Sequence, residues 1–353
     1  MNYYINKWNG IKLLNELKIN RVIEILLLTD FKKIFIAYKN PNKYEIIKLL
    51  KNKISIKKFE NHYPIGAKRG STMKTVIYYF TGTGNSLFVA KELQKLLPEA
   101  EIISIAEVLK SNNYITKGST IGFVFPCHGL TIPIPVRNFI KRMDPTSSDY
   151  FFAITTRGGT IFRGFHIINN SLKKHGKYLN ATLIINMGGN DPKLNVFTVP
   201  TKDELGALEK NALQKLKEIQ KNILNKESYH DDDKSGITFS RSRSLNYILE
   251  RLIPLMTHFI SPMIKKYFYA DSKCTGCGIC EKVCPSQKIK MDDNKPVWQR
   301  SVDCYLCYAC LNYCPSEAIQ IYSKNWMKSY TTEKGRYPHP YATVKDIAQQ
   351  KKL

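Results

Sequence analysis

Residues 274–285 read CTGCGICEKVCP and residues 304–315 read CYLCYACLNYCP, so Cys274, Cys277, Cys280 and Cys284 recur in the same spacing as Cys304, Cys307, Cys310 and Cys314. Each run is C-x2-C-x2-C-x3-C-P. Three thiolates spaced three apart wrap one loop around three corners of an iron-sulfur cube. The proline after each fourth cysteine biases that residue to an extended backbone and points it away from its own loop. The fourth thiolate then serves the other centre. One 4Fe-4S cluster is expected to take Cys274, Cys277, Cys280 and Cys314, and the second Cys304, Cys307, Cys310 and Cys284.

Structural zinc also uses four thiolates, but it brings together two C-x2-C arms, and a third cysteine with a duplicated CP ending has no purpose there. The halves also agree outside the cysteines, since Cys284-Pro285-Ser286 leads to Ile289 as Cys314-Pro315-Ser316 leads to Ile319. This internal repeat predicts a pseudo-twofold domain. The loops differ in chemistry: the first carries Gly276 and Gly278, and the second replaces them with Leu306 and Ala309 beside Tyr305 and Tyr308. Fewer backbone donors and a drier setting predict the lower potential for the cluster of Cys304, Cys307 and Cys310. The stretch from Tyr267 to Tyr322 resembles a bacterial-type two-cluster ferredoxin, which implies a small α+β domain.

The chain of 353 residues has room for two or three domains, and 43% hydrophobic content is enough to build cores. Eight of the nine cysteines belong to the two runs, and no secretory signal is visible, so disulfides are not expected. Oxygen-sensitive cubes predict the reducing cytoplasm of an anaerobe. The most membrane-like stretch, Tyr247 to Ile264, holds Glu250, Arg251, His258, Pro254 and Pro262, which favour a buried or interdomain helix pair over a transmembrane segment. The net charge is +25. Its lysines are spread along the chain rather than gathered with aromatics into a nucleic-acid module, so steering toward acidic redox proteins is the expectation and no specific nucleic acid is expected.

Residues 74–90 read KTVIYYFTGTGNSLFVA. Thr75 to Tyr79 has the β-branched and aromatic content of a buried strand, and Ser86 to Leu97 has helical spacing until Pro98. Between them Thr81, Gly82, Thr83, Gly84, Asn85 and Ser86 form a turn whose N–H groups and hydroxyls suit an anion at a helix N-terminus. The dinucleotide fingerprint lacks its third glycine, which is Leu87, and no P-loop lysine is present. A hydroxyl-rich turn without cations suits a single terminal phosphate. Further strands are expected at Glu101 to Ile105, Thr120 to Phe125, Tyr150 to Thr155 and Ala181 to Asn186. Helices are expected near Pro135 to Met143, Thr160 to His175 and Lys202 to Leu224, giving an α/β doubly wound parallel sheet.

The TGTGNS turn after an aromatic strand end resembles the phosphate loop of flavodoxins, which implies a flavodoxin-like domain with FMN. By that resemblance the flavin ring would meet Pro126-Cys127-His128-Gly129 and Thr156-Arg157-Gly158-Gly159. His128 stands where flavodoxins place an aromatic, Gly129 or Gly158 allows a peptide to turn toward the flavin, and Arg157 is either a partner of the reduced flavin or a solvated surface residue. Cys127 reads as a small buried residue. From about Met73 to Ile347, ending in the GRYPHPY tail, the chain is similar to the flavodoxin–ferredoxin fusion proteins called EFR family ferredoxins.

The resulting plan is a basic extension over 1–72, a flavodoxin-like domain over 73–224, a linker and connecting helices over 225–266, the ferredoxin domain over 267–322 and a tail over 323–353. The first segment holds 13 Lys, 12 Ile and 9 Asn and either is a small basic extension or reflects a start assigned upstream of Met73. In the tail, Arg336, Tyr337 and His339 either cover a cofactor or pack on the surface. The expected function is electron transfer between FMN, two clusters and external redox proteins. The alternative is a flavin-dependent reductase whose small substrate lies near His128 and which the clusters feed.

Overall fold

The computed structural model describes residues 74–231, 267–323 and 328–351, with residues 245, 248 and 252. The basic extension over 1–72 and nearly all of the expected linker and helix pair beyond residue 231 lie outside the described residues.

The first half alternates strands and helices: β1 Thr75–Tyr79, α1 Asn85–Leu96, β2 Glu101–Ser104, α2 Ile105–Ser111, β3 Thr120–Pro126, α3 Ile134–Ile140, β4 Tyr150–Arg157, α4 Phe165–Lys173, β5 Ala181–Asn186, α5 Lys202–Asn225 and β6 Tyr229–His230. The strands pair in the order β2-β1-β3-β4-β5-β6, each pair parallel. Order 2-1-3-4-5 is the flavodoxin-like doubly wound arrangement, with its switch point between the carboxyl ends of β1 and β3. Every residue of β1, β3 and β4 is buried, because helices cover both faces and leave no wet side to demand alternation. One face packs Tyr78, Phe123, Phe151 and Ala153 against Val136, Phe139, Ile168 and Leu172. The other packs Ile77, Val124, Phe152 and Leu183 against Leu87, Leu93, Leu216 and Ile219.

Two elements were not anticipated. The short α2 begins directly after β2, where the Ser104 hydroxyl accepts from the Ala106 N–H. Strand β6, from residues assigned to the linker, pairs Tyr229 with Ala181 and His230 with Thr182.

The second half is a compact repeat: β7 Phe268–Ala270, α6 Ile279–Val283, β8 Ile289–Asp292, β9 Lys295–Trp298, α7 Ala309–Asn312 and β10 Ile319–Ile321, followed by α8 Val344–Gln349 in the tail. Strands β7 and β10 pair antiparallel, as do β8 and β9. The turn between β8 and β9 is tight, with Asp293 at φ 43° and Asn294 at φ 57°, the left-handed pair that suits a two-residue hairpin. Among the described residues no helix is long and apolar enough to cross a membrane.

Gly122 in β3 has no room for a side chain, since a Cβ there would stand 2.0 Å from the buried Phe152 ring. Gly122→Ala is therefore expected to destabilise the sheet by about 1–3 kcal/mol through overpacking, measured as a lower midpoint in urea unfolding followed by circular dichroism.

Candidate functional site

Each cysteine run enters a short helix through two left-handed residues. Gly276 and Gly278 both have φ 72°, and in the second run Leu306 has φ 52° and Tyr308 φ 57°. Tyr308, not Ala309, thus stands where Gly278 does, and it caps α7 as Gly278 caps α6. Holding side-chain-bearing residues in this conformation costs about 1–2 kcal/mol each. The backbone course is kept all the same, and the Leu306 N–H points at Cys304 Sγ at 3.4 Å. The repeat extends to the fourth cysteines, where Ser286 Oγ lies 3.6 Å from Cys284 Sγ and Ser316 Oγ 3.6 Å from Cys314 Sγ.

The thiols fall into two crossed groups. Burial pushes the Cys280 thiol up to about 11, and the thiols that act on it are Cys277, Cys314 and Cys274. Burial likewise pushes Cys304 up to about 11, with Cys284 acting on it. Cys307 and Cys310 are pushed higher still by burial, with Cys284 acting on both and Cys280, of the first group, also acting on Cys310. Cys284, Cys304, Cys307 and Cys310 line one cavity together with Phe268 and Trp298. Among the described residues no three His, Cys, Asp or Glu side chains are grouped to hold a single metal ion; four thiols around a cavity suit a cube. Thiols so raised stay protonated at neutral pH unless a cationic centre draws off the proton, so the donor set fits iron-sulfur clusters. Exposure varies within each group: in the first Cys277 is exposed and Cys280 buried, and in the second Cys284 is buried and the other three are half-buried.

The glycine turn lies against the second group. A Cβ on Gly82 would stand 2.0 Å from the Cys307 carbonyl oxygen and 3.2 Å from its Cβ. Beside it the Tyr305 ring meets Phe80 edge-on at 6.0 Å, and His128 meets the same ring at 6.2 Å. The second cysteine loop therefore sits at the carboxyl ends of β1 and β3.

All six residues of the turn are buried. Gly84 caps α1 at φ 104° without a side-chain cap, and the Thr81 hydroxyl accepts from its N–H at 3.0 Å. Thr83 Oγ1 accepts from Asn190 Nδ2 at 2.6 Å, Ser86 Oγ pairs with Thr156 Oγ1 at 2.8 Å, and Asn85 Nδ2 donates to the Gly188 carbonyl at 2.9 Å. The tail closes over them. Gln350 exchanges hydrogen bonds with the Thr81 backbone at 3.0 and 3.1 Å, the His339 N–H donates to the Thr83 carbonyl at 2.7 Å, and Tyr313 Oη donates to the same carbonyl at 3.2 Å. A Cβ on Gly84 would stand 2.4 Å from Ala342 Cβ. Hydroxyls, amides and a helix N-terminus suit a phosphate; here the hydroxyls are engaged and the tail packs against Gly84.

The flanking loops meet through the Cys127 N–H, which donates to the Thr156 carbonyl at 2.7 Å. Pro126 ends β3, buried. His128 and Thr131 close a tight turn by mutual backbone bonds, with Gly129 at φ 54° and Leu130 at φ 65°. Burial pushes the His128 imidazole down to about 4, so it is neutral at physiological pH. Arg157 is 5% exposed and donates from Nε to Asn186 Oδ1 at 2.8 Å, so it is a buried partner of β5 and not a solvated residue. Gly158 is exposed, and Gly159, at φ 89°, has open space around it. The sequence reading missed Asn190, Tyr313 and Gln350, which reach the turn from distant parts of the chain and carry no local pattern.

A flavodoxin-like sheet joined to a repeat of two four-cysteine runs, the second of which lies against its switch point, defines a two-module redox protein. Residues 273–319 match the family described as the 4Fe-4S dicluster domain. The ferredoxin of Methanothermococcus thermolithotrophicus is 33% identical over 51 residues, covering 14% of this chain and 85% of that protein. Through this segment the chain belongs to the dicluster ferredoxin family. Among solved structures it is similar to a rubredoxin oxygen:oxidoreductase from the anaerobe Desulfovibrio gigas, at 18% identity and TM-score 0.28 over 43% of this chain and 37% of that one. It is also similar to a flavodoxin from the domain Archaea, at 13% identity and TM-score 0.26 over 42% of this chain and 99% of that one. The NAD(P)H:quinone oxidoreductase of Methanothermobacter marburgensis matches at 12% identity and TM-score 0.30 over 44% and 98%. The strand order β2-β1-β3-β4-β5 defines the fold.

The crossed grouping has a direct consequence for ligand variants. Cys314→Ser is expected to damage the cluster of Cys274, Cys277 and Cys280 and spare the sequence-local one, and Cys284→Ser to do the reverse, read by EPR and iron content. Loss of the sequence-local cluster in both variants would contradict it.

Proposed function

We propose that the protein carries electrons one at a time through two 4Fe-4S clusters, one held by Cys274, Cys277, Cys280 and Cys314 and the other by Cys284, Cys304, Cys307 and Cys310. The observation that supports this reading is the cavity lined together by Cys284, Cys304, Cys307 and Cys310, with Cys274, Cys277 and Cys314 acting on Cys280. The exposed Cys277 side is the face open to an external redox partner, and the net charge of +25 favours an acidic one. A reducing cytoplasm suits the free thiols.

FMN is the proposed ligand of the flavodoxin-like domain, with Thr81, Gly82, Thr83, Gly84, Asn85 and Ser86 toward its phosphate and the loops at Pro126, His128, Gly129, Thr156, Arg157, Gly158 and Gly159 toward its ring. When bound, FMN exchanges electrons singly or in pairs. In the described arrangement Gln350, His339 and Ala342 cover the phosphate loop, so FMN entry requires the tail to withdraw. The second reading, a small-substrate reductase centred on His128, gains nothing from a neutral imidazole whose neighbour Phe80 is already met by Tyr305.

Anaerobic isolation is expected to yield about eight irons, about eight acid-labile sulfides and, after flavin is supplied, about one FMN per chain. Gln350→Ala removes a hydrogen-bonded pair that holds the tail on Thr81, and it should tighten FMN binding by roughly tenfold, about the worth of one net hydrogen bond. This is read by fluorescence quenching of the flavin. Clusters present with no FMN bound by either protein would overturn the FMN assignment and leave the cluster assignment standing.

A further inference from the structure

Lys288 is 4% exposed and lines the same cavity as Cys284, Cys304, Cys307 and Cys310. Its Nζ donates to the Gln299 carbonyl at 2.7 Å and the Val302 carbonyl at 2.6 Å. Among the described residues no carboxylate forms an ion pair with it. A buried ammonium costs several kcal/mol unless an opposite charge compensates it, and two carbonyl oxygens satisfy donors without supplying that charge. Four thiolates around an iron-sulfur cube do supply it.

The repeat shows that this cation is one-sided. Lys288 follows Cys284 by four residues, and the residue that follows Cys314 by four is Ala318, fully buried. Arg336 and Lys351 also stand near the thiols. Arg336 is near Cys314 but also faces the carboxylates of Glu317 and Asp271. Lys351 donates to the carbonyls of Glu281 and Cys284 at 2.8 and 3.2 Å, on the side of the second group. Against them, Asp303 acts on Cys304 from an exposed position.

We propose that Lys288 raises the reduction potential of the cluster held by Cys284, Cys304, Cys307 and Cys310 and makes it the more readily reduced of the two. Reduction adds one electron, supplied by an external one-electron donor protein, and so one negative charge to that cube. A fixed ammonium in a water-poor cavity stabilises the added charge more than it stabilises the oxidised state. This order is the reverse of the one expected from the glycines of the first loop. It makes transfer from the exposed Cys277 side toward Gly82 downhill. The inference rests on the two ligand sets proposed above and not on FMN.

The test is an EPR-monitored redox titration of the anaerobically isolated full chain, as wild type, Lys288→Met and Lys288→Arg, each checked for iron content. In the wild type the higher-potential signal should be the one lost in Cys304→Ser. In Lys288→Met that signal should move to lower potential by at least tenfold in its reduction equilibrium, about 59 mV for a one-electron couple. The other signal should stay in place, and Lys288→Arg should keep the wild-type position. An unmoved signal in an iron-replete Lys288→Met protein overturns the proposal. If that variant fails to hold iron, a wild-type order in which the Cys304 signal is the lower one overturns it by itself. Failure of the ligand sets would show differently, as loss in Cys284→Ser of a signal other than the one lost in Cys304→Ser.

Discussion

Gly82 packs on the peptide of Cys307 so closely that no side chain fits between them, and the relation of the two modules follows from that contact. It brings a cysteine of the second set to the carboxyl end of β1, the place where doubly wound sheets bind ligands. Tyr305 extends the contact onto Phe80, and Tyr305 and Cys307 both pack against the core of the sheet. From Tyr313, one residue before Cys314, a hydroxyl reaches both the Thr83 and the Ala342 carbonyls. The turn, the cluster domain and the tail are therefore one polar network.

Within that network the cysteine repeat is symmetric in backbone and asymmetric in chemistry. Leu306 and Tyr308 accept left-handed strain to follow the path that Gly276 and Gly278 follow without cost. What the second loop gains is contact: Tyr308 packs against the core of the cluster domain, and its ring meets Phe268 edge-on at 6.0 Å. Four residues after the last cysteine of each run the first repeat has the buried Lys288 and the second the buried Ala318. A duplicated frame can thus hold two chemically similar centres at different potentials, which gives a one-electron chain a direction.

The strands were legible because a parallel sheet covered on both faces turns them into continuous apolar runs; β1 and β5 begin and end where Thr75–Tyr79 and Ala181–Asn186 predicted. The dicluster segment was legible because thiolate spacing is dictated by the cube and not by the rest of the fold. Helix α2 escaped because it starts at Ile105 with no linker after β2, and β6 because two residues make no period. Pairing Gly278 with Ala309 matched residue size instead of position relative to the cysteines, and backbone geometry puts Tyr308 there. The role of the tail was beyond a local reading. Gln350 and Thr81 are 269 residues apart, and nothing in either neighbourhood announces the pair.

The most direct measurement is a crystal structure of the anaerobically isolated protein with iron located by anomalous scattering. The account predicts two iron centres, one bounded by Cys284, Cys304, Cys307 and Cys310 and lying beside Gly82, the other by Cys274, Cys277, Cys280 and Cys314 with Cys277 toward solvent. A centre ligated entirely from within residues 304–314, or two centres both remote from Gly82, would contradict it.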